Sequence, residues 1–435
     1  MDRHELVSFF HGSPGKRRVG VEIECAAISS STSKCLAYDG PEGLKHLLLR
    51  TAASLGAGLI HEEGTACLTG VRLLSGASIS LEPGGAIEYS SAPAANVSEL
   101  ADIATADLRH IADICRGQDI ALLPGGNNPF AEQGQLRWTP SRKVDLLRKH
   151  YAALGVGPVA DLCMASNLST QVTLDYSSPT ELCEQLNMQT LVSPVIKAMF
   201  VNSPFHARRP SGFQSHRLHL WTATEPLRAG ALPTALSGKT TVDELVDWLV
   251  RLPMIYRLQK GQYVPAGTRA FAELDGVNSQ DWQTHLNQIW KDARPRRTIE
   301  LRGADGPPWP HVFSAPALWE GLSYVAEVRR SVIALIGPVT REQHTAATLQ
   351  AALHGLQGTY KGVSLRELAT DVIRLAQLGL KCLVERGEEK EECLGNISVL
   401  DDVVCTGETF AQRSRSRWPD LGRDHRKYVE YHRIR

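Results

Sequence analysis

Hydrophobic and polar residues alternate in several short stretches of the chain, and this period of two predicts β-strands. In one of them apolar Val21 and Ile23 alternate with Glu22 and Glu24. Alternate side chains of a strand share a face, so the two acids project together and the two apolar residues point to the other side. The strands predicted from alternation or β-branched content are Arg18–Ala26, Ala77–Leu81, Ala86–Ser90, Thr170–Tyr176 and Arg297–Arg302.

Apolar residues at helical spacing predict helices between and after these strands. The predicted helices are Gly43–Leu55, Val97–Arg116, Pro179–Ala198, Thr241–Arg251, most of Pro316–Gly337, Thr340–Leu356, Ser364–Arg386 and Thr409–Trp418. Strand signals nearly vanish after about Asp305, so the last quarter is expected to form a helical layer. The predicted strands are separated by long intervening segments, and the helices are concentrated toward the end of the chain. This order favours the α+β class over a regularly alternating parallel α/β sheet.

Composition describes an ordinary globular protein able to bury a large core. The 435 residues carry a formal net charge of +0, with 43% hydrophobic and 22% charged residues. Balanced charge gives no general reason to bind nucleic acid or a membrane surface. The start lacks the apolar region of a signal peptide and the chain has no run of about 18 apolar residues, so a cytoplasmic location is expected. The Arg-rich end, 413–435, is interpreted as a solvated helix or tail.

Cysteines and histidines do not form a recognisable metal or disulfide framework. The nine cysteines are an odd number without CxxC spacing, and the fifteen histidines include no HExxH pair. The cysteines are therefore expected to be buried small residues or free thiols. The run His61-Glu62-Glu63 is interpreted as a surface turn rather than a metal motif.

Carboxylates provide the strongest chemical signal. Glu82 and Glu88 flank the sequence Pro83-Gly84-Gly85, and a tight turn there would return Glu88 toward Glu82. Acids on one face repel each other unless a cation lies between them, and Mg²⁺ prefers such oxygen ligands. Taken alone, this sequence could equally form a plain hairpin turn with exposed acids. Gln171, Thr173 and Asp175 alternate on one face of another predicted strand, which could add oxygen ligands or could be an edge strand facing water.

Arginines form the complementary set near these acids. They are Arg217, Arg228, Arg294, Arg296, Arg297 and Arg302, the last four bracketing Glu300. Arginine suits forked recognition of carboxylate and phosphate. Acids that hold Mg²⁺ beside arginines that hold anions indicate a site for phosphoryl transfer. No P-loop or Rossmann fingerprint is present, so those two nucleotide sites are not expected.

Seven motifs together resemble, in order, the plant-type (type 2) glutamate–cysteine ligase family. They are RVGVEIE, ISLEPGGAIEYSSAP, STQVTLDY, FVNSPF, SHRLHLWTATEPLRAG, IELRGADGPPWP and VLDDVVCTGETFAQ. The bacterial branch that makes γ-glutamylcysteine for ergothioneine is similar. The resemblance runs from about Val19 to Trp418, which is nearly the entire chain.

The resemblance implies a glutamine-synthetase-like fold, with a curved, mainly antiparallel sheet that forms a bowl and is backed by helices. It implies one catalytic domain over 1–435, with a sheet-bearing core at 1–308 and a helical portion at 309–435. A monomer or a homodimer is expected.

The resemblance also implies a reaction. ATP phosphorylates the γ-carboxylate of glutamate, and the amine of cysteine or another acceptor then attacks the γ-glutamyl phosphate. Two or three Mg²⁺ ions are expected, with Mn²⁺ as a substitute. The implied metal ligands are Glu22, Glu24, Glu82, Glu88, Gln171 and Glu300. Arg302 and Glu300 are implied to be catalytic, Arg294, Arg302 and Gln171 to bind ATP, and Arg217, Trp221, Arg228 and Asn202 to bind substrate.

Two departures from the family pattern concern the choice of amine. Ala223 and Glu225 stand where the family often has aspartates in a run like WTDTD, and the run Trp290–Arg294 stands where it often has FPEVR. Ordinary sequence drift explains these changes most simply. The competing hypothesis is that the protein has been recruited to condense glutamate with a different amine. A metal-dependent hydrolase is disfavoured by the missing histidine ligands and the many arginines. An inactive regulatory homologue would be expected to lose metal ligands first, yet the motif acids are present.

Overall fold

A large antiparallel sheet with helices packed against it forms the centre of the molecule. The computed structural model describes residues 1–12, 15 and 17–435. The strands are β1 Val19–Ser29, β2 Gly58–His61, β3 Leu68–Arg72, β4 Ser78–Leu81, β5 Ile87–Ser90, β6 Ile120–Pro124, β7 Thr170–Leu174, β8 Phe205–His206, β9 Arg209–Pro210, β10 Ala229–Gly230, β11 Tyr256–Gln259, β12 Gln262–Pro265, β13 Trp290–Lys291, β14 Ala293–Pro295, β15 Ile299–Leu301, β16 Thr359–Tyr360 and β17 Val363–Ser364.

Helices fill most of the remaining chain. They are α1 Arg3–Ser8, α2 Leu44–Leu55, α3 Val97–Arg116, α4 Arg142–Ala153, α5 Gly157–Ser166, α6 Pro179–Phe200, α7 His216–Thr222, α8 Val242–Val250, α9 Ser279–Asn287, α10 Ser314–Ser323, α11 Ala326–Ile336, α12 Arg341–His354, α13 Leu365–Glu385, α14 Cys393–Thr406, α15 Phe410–Asp420 and α16 His425–His432. Helix α6 is buried along nearly its whole length and packs against α11, α12 and α13.

Strand β1 is the centre of the large sheet. The strand order is β14-β15-β7-β1-β5-β4-β3-β2, and β6 also pairs with β1; all these pairs are antiparallel. Val21, Ile23 and Cys25 of β1 are buried in the main hydrophobic core. Because side chains alternate, the same strand projects Glu22 and Glu24 toward the opposite face. The core thus fixes the direction in which both acids point.

The structure confirms the α+β class predicted from the sequence. The five predicted strands are present as β1, β4, β5, β7 and β15, and the predicted helices are present with small differences at their ends. The predicted helix Pro316–Gly337 is divided into α10 and α11 near Tyr324, whose hydroxyl donates to Asp175 at 2.8 Å. Beyond β15, the described part of the chain adds only the short pair β16–β17 to the helices.

Two segments predicted at the surface lie there for the most part, since His61 and Glu63 are exposed beside a turn and the helices near the C-terminus carry many exposed side chains, but each segment is also anchored. Glu62 is buried, because its carboxylate accepts hydrogen bonds from Ser141, Arg142 and Lys143 at the start of α4. Residues 413–435 form the end of α15 and all of α16, which agrees with the helix and not with the tail of the prediction, and α16 packs on β6 and buries Val429. Both segments are held by tertiary contacts that their polar sequences do not indicate.

The cysteines agree with the expectation from their spacing. Each of the nine lies in the described part of the chain and is a free thiol. Among the described residues, none of the helices is both long enough and apolar enough to span a bilayer.

Candidate active site

Strand register brings acids from separate parts of the sequence together. On one side of β1, Glu24 pairs with Glu88 of β5. On the other side, Glu22 pairs with Gln171 of β7, while Glu300 of β15 lies beside Thr173 of the same strand. Neighbouring residues in a sheet are about 5 Å apart and project from the same face. The central four strands therefore gather the predicted acids on one surface.

Glu82 reaches this surface through the tight turn at Pro83-Gly84-Gly85. The backbone N–H of Glu82 donates to Ala86 at 2.9 Å, and the N–H of Gly85 donates to Glu82 at 2.9 Å. Gly85 has a φ of 80°, which favours glycine. A Cβ on Gly84 would lie 1.9 Å from the carbonyl oxygen of Ala165 in α5. The turn therefore needs glycine at both positions, and it returns the chain toward Glu88 as the sequence predicts.

Glu24, Glu82 and Glu88 form a compact carboxylate cluster. One oxygen from each lies within 4.8 Å of the others. Burial, together with neighbouring acids, raises the pKa of Glu22, Glu82 and Glu88 to about 8. Burial raises the pKa of Glu24 to about 7, although Arg302 opposes the shift. The four neighbouring carboxyl groups are difficult to ionise at the same time without a positive charge between them. This is the electrostatic environment expected of a cation-binding site.

Glu300 has a different environment from the other four acids. Arg294 holds both of its oxygens, with Nη2 at 2.5 Å from each, and Arg296 donates to it at 2.6 Å. Arg302 contacts the same carboxylate and also Gln171. Burial would raise the pKa of Glu300, but the three arginines hold it well below its usual range. Glu300 is thus an ionised carboxylate that positions Arg294 and Arg302 next to the cluster.

Asn167 links the acids to the arginine and tryptophan predicted to bind substrate. Its Nδ2 donates to Glu24 at 3.4 Å, and its Oδ1 accepts from Arg217 and from Trp221 at 2.8 Å each. Gln171 donates to the other oxygen of Glu24 at 2.7 Å. No sequence signal points to Asn167, because it precedes β7 in an irregular segment and belongs to no periodic pattern.

A cavity adjoins the acid cluster, and we call it the Trp221 cavity. Its volume is about 100 Å³, and its wall is formed by Lys197, Arg217, Leu218, Trp221, Thr222, Pro226, Ala229, Gly230, Ala231, Trp290, Lys291, Asp292, Arg302, Gly303, Arg341, His344, Thr345 and Thr348. Arg302 belongs both to this wall and to the group around Glu300. A small molecule in the cavity would therefore lie beside the acids.

The charge of the cavity wall is mainly positive. Asp292 is its carboxylate, and Lys197 neutralises it with an ion pair of 2.7 Å. Burial would raise the pKa of Asp292, but Lys197 dominates and lowers it to about 2. Arg217, Arg302 and Arg341 are further cationic side chains of the wall. The wall is suited to a ligand with anionic groups.

Asp305 supports the start of α7, the helix that carries Arg217. Its carboxylate accepts from the Asn202 N–H at 2.9 Å, from Ser203 at 2.7 Å and from Ser215 at 3.0 Å. Arg217 lies 3.7 Å from the same carboxylate and donates to the backbone oxygens of residues 302 and 303. The segment after β15 therefore sets the position of Arg217.

Two residues expected to contact substrate lie elsewhere. Arg228 is fully buried, and its guanidinium binds Glu225 at 3.2 Å and the carbonyls of Gln288 and Pro253. The Asn202 amide donates to the Gly306 carbonyl at 2.7 Å and is not part of the Trp221 cavity wall. Their positions support a structural role, so contact with substrate is not supported for either residue.

Comparison with known proteins gives consistent similarities. A family model described as glutamate–cysteine ligase family 2 matches residues 18–431. The chain is 31% identical over 347 residues to a chloroplastic glutamate–cysteine ligase of Brassica juncea, covering 77% of this chain and 66% of that relative. It is 28% identical over 409 residues to glutamate–cysteine ligase A of Oryza sativa subsp. indica, covering 91% and 80%. The chain thus spans slightly less than two thirds of the Brassica protein.

Solved structures show the same fold at low sequence identity. A glutamate–cysteine ligase from Francisella tularensis in complex with AMP aligns with a TM-score of 0.59 and 13% identity, covering 97% of this chain and 88% of that one. A bifunctional glutathione synthetase from Pasteurella multocida aligns with a TM-score of 0.55 and 10% identity, covering 98% and 52%. These likenesses confirm the predicted glutamine-synthetase-like ligase fold.

Proposed function

The chain belongs to glutamate–cysteine ligase family 2, and on this premise we propose that it is an ATP- and Mg²⁺-dependent ligase that joins the γ-carboxyl of glutamate to an amine. The proposed intermediate is γ-glutamyl phosphate, and the proposed acceptor is cysteine. Residues 1–308 would supply the catalytic surface and 309–435 its helical support, within one domain.

The observation that carries this proposal is the carboxylate cluster with Arg302 beside it. Phosphoryl transfer from ATP to a carboxylate brings two anions together, which requires positive charge around the transferring group. The cluster can hold cations, and Arg302 lies at the junction of the cluster and the Trp221 cavity. This junction is where an acid and a nucleotide could meet.

The residues present fit a magnesium site. Glu24, Glu82 and Glu88 offer oxygens within 4.8 Å of one another, and Glu22 is close enough for Glu88 to raise its pKa. Mg²⁺ takes carboxylate oxygens and keeps several waters, so a partial protein shell is enough. Bound there, Mg²⁺ would neutralise phosphate charge. In this structure the oxygens of Glu300 are held by arginines, so we assign it to positioning those arginines rather than to direct metal contact.

The chain's own residues then have separate tasks. Arg302, fixed by Glu300 and Gln171, would stabilise charge on the γ-phosphoryl group, and Arg294 would add to the positive potential. Arg217 and Trp221, joined through Asn167, would orient the amino-acid substrate. Phosphorylation gives the γ-carbon a phosphate leaving group, so that an amine can displace it.

The direct test is ADP release with glutamate and a panel of amines, with and without Mg²⁺. We expect release to require glutamate, an amine and the metal together. Glu82→Gln should raise the Mg²⁺ concentration for half-maximal rate at least about tenfold, because it removes one ligand charge. The matched control is Glu63→Gln, an exposed acid outside the cluster. Metal-dependent hydrolysis without ATP, or equal Mg²⁺ requirements in the two variants, would contradict the proposal.

A second candidate is the same chemistry with a different amine. Ala223 removes a carboxylate that the family pattern often has, and Lys291 adds an amine group to the Trp221 cavity wall. Pocket changes of this kind can redirect specificity. Glutamate-dependent turnover stimulated only by an amine other than cysteine would favour this second candidate.

A further inference from the structure

Lys291 is a buried lysine on the wall of the Trp221 cavity. Only 1% of its surface is exposed, although it belongs to the short strand β13. Its Nζ donates to the carbonyl oxygens of Pro226 at 3.0 Å and Ala229 at 2.7 Å. A neutral lysine amine has two N–H donors and one lone pair. The two carbonyls therefore accept both N–H groups of the neutral amine, and the nitrogen lone pair can accept a proton from another group.

The charges that face Lys291 disfavour its protonated form. Burial lowers the pKa of Lys291 to about 7, and Arg341 and Arg228 add to the shift, while Asp292 and Glu225 oppose it. The ring of Trp248 lies 5.5 Å from Nζ, and the buried ring of His344 is also close enough to feel the lysine charge.

Neither opposing carboxylate is free to neutralise Lys291. Asp292 is bound by Lys197 at 2.7 Å and by Ser193 at 2.9 Å. Glu225 is engaged with His150 and Arg228. Lys291 consequently lacks an ion-pair partner among the residues that the structure describes, which is unusual for a buried lysine.

We propose that Lys291 accepts the proton that the amine must lose before it attacks the γ-glutamyl phosphate, an inference that rests on the proposed function. An amine arrives as an ammonium ion, which has no lone pair and cannot attack. Transfer of one proton to Lys291 gives a neutral amine and a lysine ammonium, whose third N–H replaces the lone pair.

The remaining steps balance without another reactant. The amine lone pair forms the C–N bond at the γ-carbon, and the C–O bond to phosphate breaks with its electron pair leaving on phosphate. The second amine proton goes to the departing phosphate. Lys291 then releases its proton to solvent as the products leave.

Hydroxylamine separates this role from a structural one, since it is uncharged at neutral pH and attacks an acyl phosphate without prior deprotonation. With the acceptor amine at pH 7, Lys291→Met and Lys291→Arg should each lower kcat/KM by on the order of 10²-fold. Formation of γ-glutamyl hydroxamate from glutamate, ATP and hydroxylamine should remain close to the wild-type rate in both. Arginine has the charge of a protonated lysine but cannot accept a proton.

Lys361→Met is the matched control, because Lys361 also donates to two backbone carbonyls, those of Ile336 and Pro338, but lies outside the cavity. It should leave both reactions unchanged. If Lys291→Arg keeps full activity with the amine, or if hydroxamate formation falls as far as amine turnover, Lys291 is not the proton acceptor. If the wild-type protein forms no hydroxamate, the proposed function itself fails.

The pH profile gives an independent measurement. The acid limb of kcat/KM for the amine should move to higher pH in Arg341→Met, because removing Arg341 raises the pKa of Lys291. The same substitution should not move the limb for hydroxylamine. An unchanged amine profile would overturn the assignment.

Discussion

At the scale of single residues, Gly84 shows how closely the acid-bearing turn packs. Its missing side chain allows the turn to contact the Ala165 carbonyl. Gly84→Ala should therefore lower the free energy of unfolding by about 1–3 kcal/mol, the usual cost of overpacking. The same variant should bind Mg²⁺ more weakly, because Glu82 moves with the turn. Urea unfolding and Mg²⁺ titration measure the two effects.

Gly134→Ala is the control for this substitution. A Cβ added to Gly134 would have no neighbouring atom within 4 Å, so the new methyl group meets open space. The unfolding free energy of this variant should stay close to that of the wild-type protein. Equal stability of the two variants would show that the turn can relax away from α5.

Residues that belong to a regular pattern are predictable from sequence, whereas residues outside one are not. Glu22 and Glu24 are predictable because alternation assigns both to one strand face. Asn167 is not, because its role depends on Arg217 and Trp221, which are 50 and 54 residues away. The structure does not support substrate contact by Arg228 for a related reason, since charge alone does not reveal that neighbouring carbonyls use its donors.

At the scale of elements, helix α4 depends on an acid from outside the helix. The Glu62 carboxylate accepts from the backbone N–H of Arg142 at 2.7 Å and of Lys143 at 3.2 Å. Such a group satisfies free donors and favours the positive end of the helix dipole. Glu62→Ala should cost about 0.5–2 kcal/mol of unfolding free energy.

Neighbouring Glu63→Ala is the comparison, because that side chain is exposed. It should change stability little. Thermal unfolding of both variants distinguishes a helix cap from a general effect of charge in this loop. A larger loss in the Glu63 variant would contradict the assignment.

Elements with a clear periodic pattern are predictable, whereas elements without one are not. Strand β1 and helix α3 carry long regular patterns, and the predicted bounds of α3 match the structure. Strands β2, β3 and β6 are absent from the prediction although they are no shorter than β4 and β5, because their sequences GLIH, LTGVR and IALLP do not alternate regularly between apolar and polar residues. These strands form because neighbouring strands of the sheet provide their backbone hydrogen-bond partners.

At the scale of the whole molecule, the fold brings together carboxyl groups that repel one another when they are ionised. The pKa values of Glu22, Glu82 and Glu88 are raised from 4.5 to about 8. A raised carboxyl pKa contributes stability that is fully present below pH 4.5 and is lost as pH rises through the folded value. The melting temperature of the metal-free protein should therefore fall as pH rises from about 5 to 8.

Magnesium should reverse this loss, and more strongly at higher pH, because it binds the ionised carboxylates. Melting temperatures with EDTA and with Mg²⁺ across this pH range measure the effect, and NaCl at equal ionic strength is the control. Glu88→Gln should flatten the decline, since one of the repelling charges is gone. A metal-free protein that becomes more stable over this range would contradict the interpretation.

The central position of β1 also has a consequence for how the protein is made. Its partners arrive late, since the strand that carries Gln171 lies 147 residues after Glu24. During synthesis β1 leaves the ribosome before these partners and stays with an apolar face exposed and both edges unpaired until they follow. We therefore expect slow maturation, with strong dependence on chaperones and on the rate of translation, for a chain whose finished core is well buried.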